Sequence, residues 1–240
     1  MPKVHVLLKK EELDVELLAG KVVVVLDILF ATSTIVTAFQ NGVTHVIPAM
    51  DEHHARQEAQ KHSAGSYLLA GEKNIKHIDG FGPPTPLALL NANLKNKKLI
   101  YSTTNGTVAL AKSAASDHVY AAALLNGKAV MQHVMQTHVE ETILIVCSGS
   151  GGGFNLEDFY GAGYMVDCLH SAAPSHYEFS DAALASQDLF LSADPVQALL
   201  RSRIGRLMQK SNMTNEVQFA AQLGVYDVIP KLKSGVLTLL

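Results

Sequence analysis

Short apolar runs alternate along the chain with stretches in which apolar positions recur every three or four residues. The first pattern predicts strands buried on both faces; the second predicts amphipathic helices. Strands are expected at residues 4–8, 22–26, 44–48, 67–71, 98–102, 118–123 and 142–147, with another at 236–240. Helices are expected at 33–40, 51–62, 87–93, 108–115, 127–138 and from 155 to 170, and residues 13–18 read as a helical turn. Asp51 and Asn126 are the expected caps of two of these helices, and Thr85-Pro86 supplies an N-cap and a first helical residue. Strands alternating with helices at this spacing predict an α/β fold around a mainly parallel sheet. From about residue 176 the pattern turns helical, at 182–190, 195–208 and 214–223. This region is expected to pack on the sheet as a cap or second lobe. No stretch is poor enough in apolar residues to act as a linker, so 1–240 reads as one α/β unit.

The residues that follow the predicted strands are polar in a consistent way. Val22-Val23-Val24-Val25-Leu26 runs into Asp27, and then into Thr32, Ser33 and Thr34. Glu72 stands just past the strand at 67–71, and Thr103-Thr104-Asn105-Gly106-Thr107 follows 98–102. Ser148-Gly149-Ser150-Gly151-Gly152-Gly153 follows 142–147, ahead of Glu157-Asp158. Ligands in open α/β sheets sit outside the carboxyl ends of strands. Carboxylates there suit a hard cation such as Mg²⁺, and helix starts with hydroxyls suit an anion. Each feature alone also has a plain structural reading: Asp27 and Thr32 as turn caps, Glu157-Asp158 as acids at a positive helix end, the glycines as a flexible loop. The shared position after strand ends favours a site. The loop at 73–86 is the longest irregular stretch, and long loops in compact domains are often functional.

Composition narrows the reading. The 240 residues are 48% hydrophobic and 17% charged, with a net charge of −3 and scattered Lys and Arg. A nucleic-acid surface is therefore not expected. No apolar run is long enough for a membrane span, and the first residues lack the apolar core of a signal peptide. Cys147 and Cys168 stand alone, as expected of a reduced, cytoplasmic protein. The eleven histidines show no HxH or HExxH spacing, and His53, His54, His62 and His138 are expected at the surface. No Walker loop, dinucleotide fingerprint or nucleophile elbow is present.

The motifs resemble those of the 2-phosphosulfolactate phosphatases. Asp27-Ile28-Leu29-Phe30-Ala31-Thr32-Ser33-Thr34 resembles that family's D-x-L-R-A-T-S-T, and Gly71-Glu72-Lys73 its G-E-R. Thr103-Thr104-Asn105-Gly106-Thr107 matches T-T-N-G-T, and Leu156-Glu157-Asp158 with Ala162-Gly163 resembles L-E-D…A-G. The resemblance implies an α/β, Mg²⁺-dependent hydrolase that converts 2-phospho-3-sulfolactate to 3-sulfolactate and phosphate, a step of coenzyme M synthesis. On this reading Asp27, Glu72 and Asp158 form the Mg²⁺ shell. Glu157 is the candidate base for water, with Asp27 as nucleophile the other option. Thr32, Ser33, Thr34, Thr104, Asn105, Gly106, Thr107 and Ser148 would hold the small anionic phosphorylated substrate. Two departures stand out. Phe30 replaces the family's Arg, and the segment 80–86 lacks the Asp and Asn of G-F-D-x-G-N-S-P. Arg201, Arg203 or Arg206 would have to supply the missing charge, and Asp79 the missing acid. The departures keep two alternatives in view: a phosphatase of another small phosphorylated acid, and a non-catalytic anion binder. A homodimer is compatible with the sequence but not dictated by it.

Overall fold

The computed structural model describes residues 1–73 and 76–240. The strands are β1 (Lys3–Leu7), β2 (Lys21–Leu26), β3 (His45–Ala49), β4 (Tyr67–Lys73), β5 (Lys76–His77), β6 (Lys98–Ser102), β7 (His118–Ala122), β8 (Thr142–Cys147), β9 (Glu178–Phe179), β10 (Pro230–Lys233) and β11 (Val236–Leu239). The helices are α1 (Ala31–Gln40), α2 (Glu52–Ala59), α3 (Pro86–Leu89), α4 (Gly106–Ser113), α5 (Gly127–Thr137), α6 (Leu156–Ala172), α7 (Asp181–Ser192), α8 (Pro195–Arg201), α9 (Arg203–Lys210) and α10 (Thr214–Ala220). Among the described residues, the strands join in the order β5-β4-β6-β3-β11-β10-β7-β2-β8-β1-β9.

The valine run of β2 is fully buried because the sheet is covered on both sides. Val22, Val24 and Leu26 point into a core shared with α5 and α6, including Val130, Met131 and Met165. Val23 and Val25 point into the opposite core, with Ile35 and Phe39 of α1 and Leu110 of α4. The period-2 alternation of a strand thus serves two apolar layers at once.

The sheet is two parallel halves joined by a hairpin. β4, β6 and β3 run parallel in one half, and β7, β2, β8, β1 and β9 run parallel in the other. The antiparallel β10–β11 pair sits between them. It meets β3 through Leu237 opposite Val46, and β7 through Lys231 and Leu232 opposite Tyr120 and Val119. The expected terminal strand therefore exists, but it belongs to a central hairpin. Its first arm carries Pro230, Lys231 and Lys233 and offers too little apolar periodicity to be read as a strand.

The expected 195–208 helix is two helices. Ser202 breaks it, in extended conformation (φ −65°, ψ 163°), and its side chain caps α9 by accepting from Gly205 N–H. Asn126 does not cap α5. Its Oδ1 accepts from Ala123 N–H at 2.8 Å, and its Nδ2 donates to Val228 O at 3.0 Å. The helical region packs on α6 and reaches α3. Glu216 of α10 is the contact that matters there. It accepts from Leu87 N–H at 2.9 Å, Ala88 N–H at 3.0 Å and the Thr85 hydroxyl at 2.6 Å. The start of α3 is thus capped from a distant helix rather than by Thr85. No helix among the described residues is long and apolar enough to cross a membrane.

Removing the carboxylate of Glu216 leaves two N–H groups of α3 without acceptors. Glu216→Ala should cost roughly 1–3 kcal/mol in urea unfolding, and Glu216→Gln clearly less, since an amide oxygen still accepts. Equal midpoints for Ala, Gln and wild type would show that the contact carries no stability.

Candidate active site

The polar strand ends converge on one cavity of about 460 Å³. It is lined by Asp27, Leu29, Phe30 and Ala31 after β2, Glu72 of β4, and Thr103, Thr104 and Asn105 after β6. Ser150, Gly151 and Asn155 come from the loop after β8, and Arg203 and Ile204 from α9. β2 and β6 lie in different halves of the sheet, yet their ends meet. The reason is α4, which packs against β3 in one half and against β2 and β7 in the other.

Three helices begin at this cavity. The residues preceding α1, α4 and α6 are Phe30, Asn105 and Asn155, and none makes a side-chain capping bond. The positive ends of three helix dipoles therefore gather in one place, which favours an anion.

Asp27 sits among them. It is buried, and burial is the main cause that pushes its carboxylate up to about 6. The N–H groups of Ala31, Phe30 and Gly106 act in the opposite direction, while the Glu72 charge adds to the rise. The approach of α4 is close because residue 106 has no side chain. A Cβ there would lie 2.6 Å from Asp27 Oδ2 and 2.4 Å from Ala31 Cβ.

Asp158 ties two strand ends together. Its Oδ1 accepts from Ile28 N–H at 2.9 Å and its Oδ2 from Gly149 N–H at 3.1 Å. Burial, then the charges of Asp27 and Glu157, raise its pKa well above the usual range. Glu157 is buried, with both carboxylate oxygens outside hydrogen-bond geometry to any described residue. Burial pushes it up to about 7; its own N–H, Ser202 and Arg203 pull it down, and Asp27 pushes it up. Glu72 accepts from Thr104 N–H at 2.7 Å and from the Thr104 hydroxyl at 3.3 Å.

Several residues expected to hold substrate instead build the walls. Thr32, Ser33 and Thr34 are fully buried and do not line the cavity. The Thr32 hydroxyl exchanges hydrogen bonds with Asp27 N–H and C=O, both at 3.0 Å. Ser33 donates to Ile28 O at 2.8 Å, and Thr34 lies 3.1 Å from Phe30 O and 2.9 Å from Pro84 O. These bonds fix the turn that presents Asp27. Thr107 does the same for its own turn, donating to Thr103 O at 2.9 Å. Gly106 lies against Asp27, and Ser148 is buried with its hydroxyl unpartnered among the described residues. Thr104 and Asn105 do line the cavity.

The cations are Arg203 and Lys10. Arg203 lines the cavity and donates to the Ser150 hydroxyl, which in turn donates to Asn155 Oδ1 at 2.7 Å. Arg201, Arg206 and Asp79 are exposed and do not line the cavity. Lys10 escaped sequence reasoning, although it follows β1 as the other polar residues follow their strands. Its buried ammonium donates to Asn105 Oδ1 at 3.0 Å and Ser148 O at 3.2 Å, and pairs with Glu11 at 3.2 Å.

The donor set fits a hard divalent cation. Asp27 and Glu72 present carboxylates to the cavity, Asp27 with its pKa raised to about 6 by burial, and the charge of buried Glu157 acts on the same patch. Mg²⁺ commonly takes one or two carboxylates and fills the rest of its shell with water and substrate oxygens. Asp158 commits both oxygens to backbone N–H groups, so its place is behind that pair.

A methyl group at residue 106 must push on Asp27 or on Ala31. Gly106→Ala should therefore lower phosphate release at least tenfold while costing under about 3 kcal/mol of stability. An active Gly106→Ala protein would show that the close approach of α4 has no bearing on the reaction.

The family model described as 2-phosphosulpholactate phosphatase matches residues 7–235. A protein of Symbiobacterium thermophilum is 35% identical over 229 residues, covering 94% of this chain and 97% of its own length. One from Caldanaerobacter subterraneus subsp. tengcongensis is 34% identical over 225 residues, 91% of this chain and 90% of its own. One from Clostridium beijerinckii is 26% identical over 238 residues, 98% and 99% of the two chains. Each of the three is named "Probable 2-phosphosulfolactate phosphatase". With the match spanning nearly its whole length, this chain belongs to the 2-phosphosulpholactate phosphatase family.

Proposed function

We propose that the protein is a Mg²⁺-dependent phosphomonoesterase that hydrolyses 2-phospho-3-sulfolactate to 3-sulfolactate and phosphate. The observation that carries this reading is the convergence of three helix starts and Arg203 on a buried Asp27 whose carboxylate burial pushes up to about 6. The relatives' names supply the substrate.

The phosphoryl group binds at the positive ends of the α1, α4 and α6 dipoles, an arrangement that needs no reorganisation as charge develops. Arg203 grips a second anionic group, the part that an Arg at position 30 plays in the family's motif. Phe30 closes the wall beside it and keeps water from that side. Asp27 and Glu72 would hold the metal, which would supply Lewis-acid stabilisation of phosphoryl charge and activation of water. Asp27 is the carboxylate at the reacting atoms, held in place by Thr32 and Gly106. Glu157 and Asp158 are positioning residues behind it. Their charges raise the proton affinity of the cluster and favour a cation in front of it. Both thiols are free, which suits a reducing cytoplasm; Cys147 is buried and its pKa is raised by burial.

Phosphate release from 2-phospho-3-sulfolactate should require Mg²⁺ and should exceed release from phosphorylated acids without the sulfonate. Arg203→Ala should raise KM about ten- to a hundredfold, the worth of one charged hydrogen bond. Adding Phe30→Arg to that variant should recover part of the loss. No release from any phosphorylated acid, with or without Mg²⁺, would instead favour the anion binder.

The acids also set a pH dependence of stability. Asp27, with its folded pKa near 6, holds a proton that the unfolded chain has lost, since the ordinary value is 3.8. Its contribution is therefore fully present below about pH 4 and is lost as pH rises through about 6. Asp27→Asn should be inactive. In chelator its Tm should rise relative to wild type between pH 4.5 and pH 8, and Mg²⁺ should raise the Tm of wild type alone at pH 8. A Tm difference that does not change with pH would show that Asp27 is not strained by its burial.

A further inference from the structure

The opposite ends of the strands carry a second cluster. His118 opens β7, His133 lies on α5, His138 follows α5 and Glu141 precedes β8. His138, expected at the surface, is buried. Its Nδ1 is 3.2 Å from Glu141 Oε1 and its Nε2 is 2.8 Å from the Tyr120 hydroxyl. The His118 and His138 rings are 4.2 Å apart between centroids. One ligand atom from each of His118, His138 and Glu141 lies within 4.8 Å of the other two. Among the described residues, this is the group of three donors drawn that close together.

We propose that His118, His138 and Glu141 form a binding site for a divalent d-block cation of the Zn²⁺ class. Two imidazoles and one carboxylate are the donor set that such ions prefer, whereas Mg²⁺ keeps to oxygen. The site is separate from the cavity. In the pairing of β2, Val22 lies beside His118, while Asp27 follows Leu26 at the other end. Five residues of strand put roughly 17 Å between them. The Tyr120 hydroxyl touches His138 Nε2 and lies 3.2 Å from His133 Nε2, so it orients the buried imidazole. Lys231 Nζ lies 3.3 Å from His118 Nδ1 and opposes a cation. It arrives from β10, so the central hairpin sets how strongly the site holds its ion. A bound ion would link the turn between α5 and β8 to the first residue of β7, joining two elements on either side of β2.

The test is a calorimetric titration of the metal-free full-length protein with Zn²⁺ alone, repeated with His118→Ala and Glu141→Gln. Both side chains are partly exposed, so the variants are expected to fold, which circular dichroism checks. One Zn²⁺ site should weaken by more than about tenfold in each variant, and Co²⁺ bound to wild type should show absorption bands that both variants lose. Lys231→Met should tighten the same site severalfold. Zn²⁺ should raise the Tm of wild type but not that of either variant. Equal Zn²⁺ stoichiometry and affinity in wild type and both variants would place the binding on surface histidines and overturn the proposal, as would no binding at all.

Discussion

Everything at the carboxyl edge of the sheet depends on the two hydrogen bonds that Asp158 accepts. One comes from Ile28, just after β2, and the other from Gly149, just after β8. Adjacent strands diverge once their ladder ends, and their loops have no pairing of their own. A side chain from the first turn of α6 replaces that pairing here, holding the two loops at a fixed separation. Asp27 and Phe30 on one side, and Ser150 and Asn155 on the other, then face the same space. The Asp158 carboxylate is buried beside Asp27 and Glu157, which raise its pKa further, so the bond that organises the site also strains it.

That strain extends to Asp27 and Glu157. Three acids in one buried patch would destabilise the fold if all were ionised and nothing faced them. The same patch adjoins three positive helix ends and Arg203. The result is a cavity that sets buried carboxylates against positive helix ends and a guanidinium, a polarity that suits the proposed metal-assisted phosphate site. Lys10 and Lys9 act on the loops around the cavity. Lys10 holds Asn105 against Ser148, and Lys9 donates to Gly152 O at 2.9 Å, bracing the glycine loop.

Much of this was legible in the sequence, because periodicity and strand-end chemistry are local signals. The seven early strands were found within a residue or two, with Glu72 drawn into the end of β4. Their polar ends identified the cavity. What the sequence concealed was non-local. Thr32, Ser33 and Thr34 look like ligands for an anion, but a buried hydroxyl next to free carbonyls bonds to them first. The capping of α3 by Glu216 joins residues far apart in the chain. The split at Ser202, which brings Arg203 to the cavity, shows only as a serine inside a helical pattern. The gathering of His118, His138 and Glu141 has no sequence spacing to announce it, since a strand pairing brings them together.

The β10–β11 hairpin has a consequence for how the molecule is assembled. Val46 and Leu237 are partners across a break of about 190 residues, the kind of contact that slows folding because the intervening chain must be closed into a loop. Each half of the sheet pairs its own strands, so each can form before the hairpin arrives. Until then β3 and β7 are open edges with unpaired backbone groups and apolar flanks, competent to pair with another chain. The hairpin thus acts as a closing seam. A chain delayed in placing residues 230–239 would be exposed to edge-to-edge association at two strands that are interior in the finished sheet.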